Sequence, residues 1–433
     1  MPSRAPPAKP DAILIVGAGV FGLSTALELA ARGYTHVTVL DRFVPPAVDG
    51  SSVDLSRIIR FDYGDRQYGI MAREAVAGWA AEYPDHWHPC GFLMLNSGAD
   101  GFAYTRHCVA VDEDLGRTIE LYDDATEMRR RVPGIPGRLE GFKAFYNPRG
   151  GWADAAGSIA QLASRCSQAG VSIVSGRRGT VKSLIYKDTN RVAGVRLVDG
   201  SSMHASLVIL AAGAWTNHLL RVTHASSASA QPVGCIQLTE AEAATLRGMP
   251  VMINSNKGVF VFPPTPSTNI LKVARHGYGY ATDEKVDDGH TPPRVLSCPR
   301  RDANNARHSY MPEEAQEGLR DGLRDMVPEF AERPWSRLRL CWYSDTPEGD
   351  FIVDHHPQAD GLFLATGGSG HGFKFLPVLG RYIVDCLENK ASETLRHKWR
   401  MRPESDASEI KIGDGSRGGP PLRTLTALEQ SKL

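Results

Sequence analysis

Three glycines near the start of the chain have the spacing of a dinucleotide-binding loop. Gly17, Gly19 and Gly22 follow the apolar run 12–16 and precede a stretch of helical composition. In such a loop the first glycine permits a tight turn and the second lets the backbone approach a pyrophosphate. The third allows a helix to pack closely on a strand, so the spacing predicts a site for a dinucleotide.

The elements that such a loop requires occur around it in the right order. Val20 and Phe21 open the helical stretch, and their backbone amides would point towards the phosphates. A second strand, 37–40, ends at Asp41, where a carboxylate can bind ribose hydroxyls, and Arg42 follows in the same site. Together these features predict a Rossmann βαβ unit, which suits FAD and NAD(P) equally well.

The composition is that of an ordinary globular protein. Hydrophobic residues make up 42% of the 433 residues, and 49 basic residues balance 49 acidic ones. A net charge of zero gives no electrostatic reason to expect a nucleic acid or an anionic membrane as partner. The sequence has no run of about 18 apolar residues, so we expect no membrane helix. The seven cysteines contain no C-x-x-C pair, so we expect no disulfide framework and no metal site.

The order of elements predicts an α/β plus α+β protein. A Rossmann-like dinucleotide-binding domain of discontinuous segments would carry an inserted, sheet-rich substrate domain. We assign residues 10–89, 151–228 and 337–395 to the first domain, and residues 90–150 and 229–336 to the second.

Residues 396–433 form a C-terminal tail in this division. The tail is rich in Gly, Ser, Pro and charge, so we expect it to be extended rather than part of the core. It ends in Ser431-Lys432-Leu433, the tripeptide of the peroxisomal address. We therefore expect recognition by the peroxisomal import receptor and a peroxisomal location.

Three later segments resemble the monomeric sarcosine oxidase family. They are residues 50–60 (GSSVDLSRIIR), 341–347 (CWYSDTP) and 367–374 (GGSGHGFK). The family includes pipecolate, saccharopine and fructosyl amino acid oxidases, and the similarity runs from about Ala12 to Glu388. It implies FAD rather than NAD(P), and an oxidase that converts secondary amines of amino acids to imines and reduces O2 to hydrogen peroxide. It also favours a monomer.

The resemblance implies that FAD is attached covalently. In the family, the 8α-methyl group of the flavin is bonded to a cysteine, and Cys341 matches that position. A soft nucleophile suits this chemistry. Further cofactor contacts implied by the match are Ser51, Arg57, Val181, Gly370, Phe373 and Lys374.

The same resemblance assigns roles in substrate binding and catalysis. Arg60 and Lys374 match the residues that bind the substrate carboxylate, which a guanidinium beside an ammonium does well. Arg57 and Arg60 would share one face if their segment were helical. Lys272 matches the lysine that speeds reduction of oxygen.

Three further residues complete the implied site. Arg57 matches a second cation over the flavin ring, His276 an active-site histidine, and Tyr343 an aromatic residue that lines the substrate pocket. Fructosyl amino acid oxidases usually carry an acid where His276 stands and an arginine where His371 stands. Histidine at both positions favours the sarcosine and pipecolate side.

Several alternatives stay open on the sequence. A fructosyl amino acid oxidase, or an oxidase of N-methylated aromatic amino acids in a secondary-metabolite pathway, would use the same chemistry. An NAD(P)-dependent dehydrogenase explains the glycine loop but gives no reason for the segments at 341–347 and 367–374. A non-catalytic flavin-binding or redox-sensing protein gives no reason for Lys272 or the Arg60/Lys374 pair.

Overall fold

The computed structural model of the chain describes residues 4–98, 103–116, 119–132, 134–287, 292–305, 309–404 and 413–433. The strands in chain order are β1 Ala12–Val16, β2 His36–Leu40, β3 Arg57–Ile59, β4 Trp87–His88, β5 Phe92–Asn96, β6 Glu120–Tyr122, β7 Lys143–Asn147, β8 Gly151–Ala153, β9 Ser172–Val174, β10 Val181–Asp188, β11 Arg191–Leu197, β12 Ser202–His204, β13 Leu207–Leu210, β14 Ser227–Gln237, β15 Val251–Asn254, β16 Val259–Val261, β17 Ile270–Arg275, β18 Tyr280–Ala281, β19 Glu284–Val286, β20 Arg294–Leu296, β21 Arg337–Asp345, β22 Ile352–His355, β23 Leu362–Thr366 and β24 Arg423–Thr424. The α-helices are α1 Val20–Ala31, α2 Arg66–Glu82, α3 Ala103–Asp114, α4 Ala125–Arg131, α5 Ala155–Gln168, α6 Glu240–Leu246, α7 Glu313–Met326, α8 Leu376–Leu387, α9 Glu393–Lys398 and α10 Ala427–Gln430.

A six-stranded sheet of order β22-β23-β13-β1-β2-β9 forms the centre of the first domain. Its strands run parallel except β22, which pairs antiparallel with β23. Strands β13 and β23 are buried along their whole length, as expected for a parallel sheet that is covered on both faces. Helix α1 packs between the sheet, α5 and α8. The predicted βαβ unit and the Rossmann-like domain are confirmed.

A ten-stranded, largely antiparallel sheet forms the second domain. Helix α7 packs on one of its faces and buries Leu319, Leu323 and Met326 in a shared core. The other face carries a smaller aromatic cluster and points towards the first domain. Strand β21 pairs with β14 along its whole length, so residues 337–345 lie in this sheet although the division at 336 assigned them to the first domain.

The C-terminal tail differs from its prediction, because residues 413–433 pack onto the second domain. Strand β24 pairs in parallel with β18, and Leu425 is buried in the same core as α7. Arg417 is buried as well and forms an ion pair with Asp345. The prediction of an extended tail was wrong because a few side chains, such as Arg417 and Leu425, anchor this segment. The polar, glycine-rich composition of the tail does not reveal them. Residues 405–412 lie outside the described ranges.

No disulfide links the described parts of the chain. All seven cysteines are free, and six of them are buried. Within the described ranges, no helix is both long and apolar enough to cross a membrane.

Candidate active site

The glycine loop is packed so closely against other backbone that Gly17 and Gly22 could not carry side chains. A Cβ on Gly17, whose φ is +114°, would lie 2.4 Å from the carbonyl oxygen of Ala211. A Cβ on Gly22 would lie 1.8 Å from the carbonyl oxygen of Gly17. Gly19 precedes α1 and has no side chain to cap it. The N–H of Val20, predicted to point towards the phosphates, donates instead to the hydroxyl of Ser52 at 2.9 Å, so the rest of the first turn presents backbone N–H groups to an anion.

Asp41, which directly follows β2, also holds the glycine loop in place. Oδ2 of Asp41 accepts a hydrogen bond from the backbone N–H of Ala18 at 2.8 Å, and Oδ1 accepts one from Phe43 at 3.0 Å. Arg42 pairs with the buried carboxylate of Asp49 at 3.0 Å. The loop, the acid and the arginine therefore form one rigid end of the site.

A single long cavity runs from this loop to the second sheet. Most of the predicted site residues line it: Gly17, Gly19, Val20, Phe21, Asp41, Arg42, Ser51, Arg57, Arg60, Val181, His276, Tyr343, Gly370, Phe373 and Lys374. Gly22, Cys341 and Lys272 do not reach its surface. Gly22 packs behind Gly17, while the other two are buried next to lining residues.

Strand β21 brings several of the polar side chains together through the alternation of a β-strand. Leu338, Leu340 and Trp342 pack into the core of the second domain. The intervening side chains lie on the other face: Arg339, Cys341, Tyr343 and Asp345. Arg339 and Cys341 contact the first domain through Asp54 and Arg57. Each of the four meets a polar partner from another segment.

Asp54 is the centre of a buried group of three cations. Its carboxylate accepts a hydrogen bond from Lys272 Nζ at 2.7 Å and contacts Arg57, and Arg339 Nη2 lies 3.4 Å away. Burial alone would raise the pKa of Asp54, but the neighbouring Lys272 and Arg57 lower it instead.

Lys272 shows how the burial of this group acts on a cation. Its side chain is 1% exposed, and Nζ also donates to the carbonyl oxygen of Ser56 at 2.6 Å. Burial lowers the pKa of Lys272 to about 8, with Asp54 opposing the shift. One carboxylate among three cations leaves an excess of positive charge, which would stabilise negative charge that develops nearby.

Cys341 lies against the same group. It is 5% exposed, and its Sγ accepts a hydrogen bond from Arg57 Nη2 at 3.4 Å. The same guanidinium nitrogen donates to the carbonyl oxygen of Ser51 at 2.8 Å. A cation fixed beside the sulfur suits a nucleophilic thiolate.

Arg60 is buried with one donor unused. Its Nη2 donates to the hydroxyl of Tyr104 at 3.0 Å, whereas the buried Nη1 has no hydrogen-bond partner. The guanidinium lies over the rings of Tyr63, Phe92 and Tyr104 at 5.1–5.7 Å from their centroids. A buried donor without an acceptor is costly, so this position is suited to an anionic ligand. Because β3 is a strand, Arg57 and Arg60 do not share a helical face, and they act at separate points.

Lys374 is held by a short chain of hydrogen bonds. Nζ donates to the hydroxyl oxygen of Tyr63 at 2.8 Å, and the Tyr63 hydroxyl contacts His371 Nδ1 at 3.0 Å. His371 Nε2 lies 2.8 Å from the carbonyl oxygen of Gly349. The carbonyl accepts only from Nε2–H, so Nδ1 accepts from Tyr63. Burial lowers the pKa of His371 to about 4, which keeps this imidazole neutral.

His276 belongs to a second chain of hydrogen bonds of this kind. Nε2 lies 3.0 Å from the hydroxyl of Ser416, which itself donates to Asp414. Nδ1 lies 3.4 Å from the hydroxyl of Tyr343. The imidazole therefore donates from Nε2 and accepts at Nδ1. Burial lowers the pKa of His276 well below its usual value, consistent with this neutral form.

Several residues at the site were not predicted from the sequence. Asp54 stands inside the 50–60 segment but was not singled out there. Arg339 precedes Cys341 by two positions, so the alternation of a strand could have identified Arg339 as a neighbour on the same face. Tyr63 and Tyr104 gave no local signal. Asp414 and Ser416 belong to the tail, where no periodicity or motif marked them.

The DAO family, described as FAD dependent oxidoreductases, matches residues 12–386. The L-saccharopine oxidase of Schizosaccharomyces pombe is 33% identical over 423 residues, covering 92% of this chain and 95% of the relative. The peroxisomal sarcosine oxidase of Homo sapiens is 29% identical, covering 87% and 91%. The crystal structure of the fructosamine oxidase Amadoriase II from Aspergillus fumigatus superposes with a TM-score of 0.82 at 30% identity, covering 96% of each chain.

Proposed function

The chain belongs to the DAO family of FAD-dependent oxidoreductases and is an amino acid oxidase, and we propose that it oxidises the C–N bond of a secondary amine carried by an amino acid. The imine product would hydrolyse or cyclise, and O2 would be reduced to hydrogen peroxide. The carboxylate of the substrate would be bound by Arg60 and Lys374. The observation that carries this proposal is the buried Nη1 of Arg60, which lacks an acceptor beside a second buried cation.

The residues present fit an FAD. Only glycine fits at Gly17 and Gly22, the first turn of α1 after Val20 faces the cavity with its backbone N–H groups, and Asp41 directly follows β2 as the fingerprint requires. Bound FAD accepts two electrons from the substrate and passes them to oxygen. The remaining work of the site is binding, orientation and electrostatics.

The two buried cations would hold the substrate by its carboxylate. Arg60 is always charged, whereas burial and the nearby Arg60 lower the pKa of Lys374 well below its usual value. A carboxylate that enters between them would satisfy Nη1 and favour the protonated form of Lys374. The Tyr63–His371 chain keeps Lys374 in place for this contact.

The cation group around Asp54 would serve the step with oxygen. Lys272 and Arg57 share one buried carboxylate, so their positions are fixed before the reaction begins. Fixed positive charge in a dry site stabilises developing negative charge without reorganisation. No protein base is required if the amine reacts in its unprotonated form.

A peroxide-coupled screen of the purified protein tests the proposal. The panel should hold sarcosine, N-methyl amino acids, pipecolate, proline, saccharopine and fructosyl amino acids. We expect peroxide with at least one secondary amine, and an Arg60→Met variant should raise KM for it by roughly 10- to 100-fold, as loss of a charged hydrogen bond does. Absence of peroxide with the whole panel, in a protein with a full flavin spectrum, would refute the proposal.

We also propose that the flavin is covalently attached to Cys341. The contact between Arg57 and the sulfur supports this, as does the place of Cys341 beside the cavity. After denaturation in acid, the yellow colour should stay in the pellet, and a Cys341→Ser variant should release its flavin to the supernatant. Cys235→Ser is the matched control, because Cys235 is also a free, buried cysteine and lies in β14, the strand that pairs with β21. This variant should keep the colour in the pellet. Free flavin from the unaltered protein would rule out the bond.

Two further proposals concern the whole protein. The Ser-Lys-Leu end supports import into peroxisomes through the receptor for that address. Six large apolar side chains are exposed in the described ranges, namely Val44, Val48, Leu121, Val295, Leu422 and Leu428. This small number supports a monomer. Light scattering during size-exclusion chromatography would test the latter.

A further inference from the structure

The segment 413–419 returns from the end of the chain to the cavity. Arg417 fastens it through a bidentate pair with Asp345, and the two side chains are 2% and 0% exposed. The backbone N–H of Gly418 donates to the carbonyl oxygen of His276 at 3.2 Å. A buried ion pair and a backbone bond therefore fix the segment against the site, so that its side chains have defined positions.

This segment places a carboxylate on the cavity wall. Asp414 Oδ1 accepts from the backbone N–H of Ser416 at 3.0 Å and from its hydroxyl, and Oδ2 accepts from Tyr104 at 3.5 Å. The side chain lines the cavity and is also exposed, so it lies where the cavity opens to solvent. Partial desolvation would raise the pKa of Asp414, but His371 and the Ser416 donors lower it. Asp414 is therefore an anion at neutral pH.

Asp414 is the acidic residue at the end of the cavity that holds Arg60 and Lys374, which we call the substrate end. Among the described residues that line the cavity, the acids are Asp41, Asp49 and Asp414. Asp41 ends β2 at the glycine loop, and Asp49 is paired with Arg42 there. The hydroxyl of Tyr104 separates Asp414 from Arg60, accepting from Arg60 at 3.0 Å and donating to Asp414 at 3.5 Å.

The substrate end thus holds a guanidinium with a free N–H and a carboxylate with free acceptor sites, one hydroxyl apart. An amino acid with a secondary amine has the complementary pair of charges, because such amines are protonated near neutral pH. A plain carboxylic acid has only one of them.

We propose that Asp414 binds the cationic nitrogen of a zwitterionic amino-acid substrate while Arg60 and Lys374 bind its carboxylate. The segment 413–419 therefore sets the preference of the enzyme for zwitterions over simple anions. This inference rests on the amine oxidation proposed above. The bound ammonium must lose its proton before the C–N bond is oxidised, and this proton leaves to solvent where the cavity opens beside Asp414. The contribution of Asp414 therefore belongs to binding, and it is expressed in Kd and KM rather than in kcat.

The test compares matched ligands that differ only at the nitrogen. Sarcosine is paired with methoxyacetate, and pipecolate with tetrahydropyran-2-carboxylate. Their Kd values are obtained with the holoenzyme under anaerobic conditions. For a ligand that leaves the flavin oxidised, Kd comes from the equilibrium change in the flavin spectrum, and for one that reduces the flavin it comes from the concentration dependence of the reduction rate in stopped flow. Asp414→Asn keeps the shape of the side chain and removes its charge. Asp123→Asn, on an exposed carboxylate that is paired only with Lys143, is the matched control.

We expect Asp414→Asn to raise Kd for the amino acids by roughly tenfold or more. Kd for the two oxygen analogues should stay the same or fall, because an anion that competes for Arg60 has been neutralised. Asp414→Glu should recover part of the preference, and Asp123→Asn should change neither series.

Equal weakening of both series, or no change in either, would overturn the inference, because it would show a structural role or none. So would failure of all four compounds to perturb the flavin of the unaltered protein. If the amino acids bind but never reduce the flavin, the proposed amine oxidation fails, while the ratio of the two Kd values still decides the role of Asp414.

Discussion

At the scale of residues, the site is a set of buried charges whose partners matter as much as their identity. The resemblance predicted Lys272 and Arg57, but it did not show that one carboxylate, Asp54, holds both of them and Arg339. Removing Asp54 would leave three buried cations without a counter-ion, which is strongly destabilising. The carboxylate is therefore the residue that positions the cations.

The charge of Lys272 predicts a pH dependence of the step with oxygen. Its pKa is lowered to about 8, so the ammonium is present below this pH and is lost above it. The rate at which reduced enzyme is reoxidised should therefore fall as the pH rises through about 8. Stopped-flow mixing of reduced enzyme with oxygen, from roughly pH 6.5 to 9.5, measures this rate.

Two variants at the same position give the controls. Lys272→Met should reoxidise slowly at every pH, and Lys272→Arg should lose the fall, because a guanidinium stays charged throughout this range. Flavin reduction by substrate should remain close to that of the unaltered protein in both. A pH profile that is equally steep in Lys272→Met would assign the titration to another group.

At the scale of elements, two short structures determine where the chemistry lies. Strand β21 presents Arg339, Cys341, Tyr343 and Asp345 on one face and closes the apolar core with the other. The glycine loop between β1 and α1 has no room for a methyl group. The loop was predictable because its motif is local, and the face of β21 was predictable in principle because strands alternate.

The loop allows a sharp comparison between two glycines of the same unit. A Cβ at Gly22 would meet the backbone of Gly17, whereas one at Gly33, with φ +85°, would meet nothing within 4 Å. Gly22→Ala should abolish FAD binding, because backbone cannot move aside cheaply. Gly33→Ala should only lower the free energy of unfolding, by about 1–2 kcal/mol, and keep its flavin. The flavin-to-protein absorbance ratio and a urea titration measure the two effects; full flavin content in Gly22→Ala would contradict the steric argument.

At the scale of the whole molecule, the site depends on contacts between segments that are far apart in sequence. The two domains and their order were predicted, since apolar runs and helical stretches are local patterns. The docking of the tail was not predicted, because Arg417 and Asp345 are separated by 72 positions and Arg417 stands in no recognisable pattern. Long-range ion pairs of this kind leave no periodicity in a single sequence.

The C-terminal tripeptide allows a test of location apart from activity. Leu433 is partly buried against the core of the second domain, Arg300 donates to its backbone oxygen at 3.0 Å, and none of residues 431–433 lines the cavity. Deleting these three residues should leave kcat/KM unchanged in the purified enzyme. In cells, an amino-terminal fluorescent fusion should move from peroxisomes to the cytosol, and restoring Ser-Lys-Leu should reverse this. Retention of the shortened fusion in peroxisomes would point to another signal.

The place of Asp414 in the chain has a consequence for the timing of activity during biosynthesis. The glycine loop leaves the ribosome among the first residues of this sequence, but the segment 413–419 is translated after every other part of the cavity wall. A nascent chain can fold its first βαβ unit early, yet its substrate pocket lacks one side until translation has passed Asp414. A chain truncated before Asp414 would therefore bind the substrate more weakly, so such translation products would be poor oxidases at low substrate concentration.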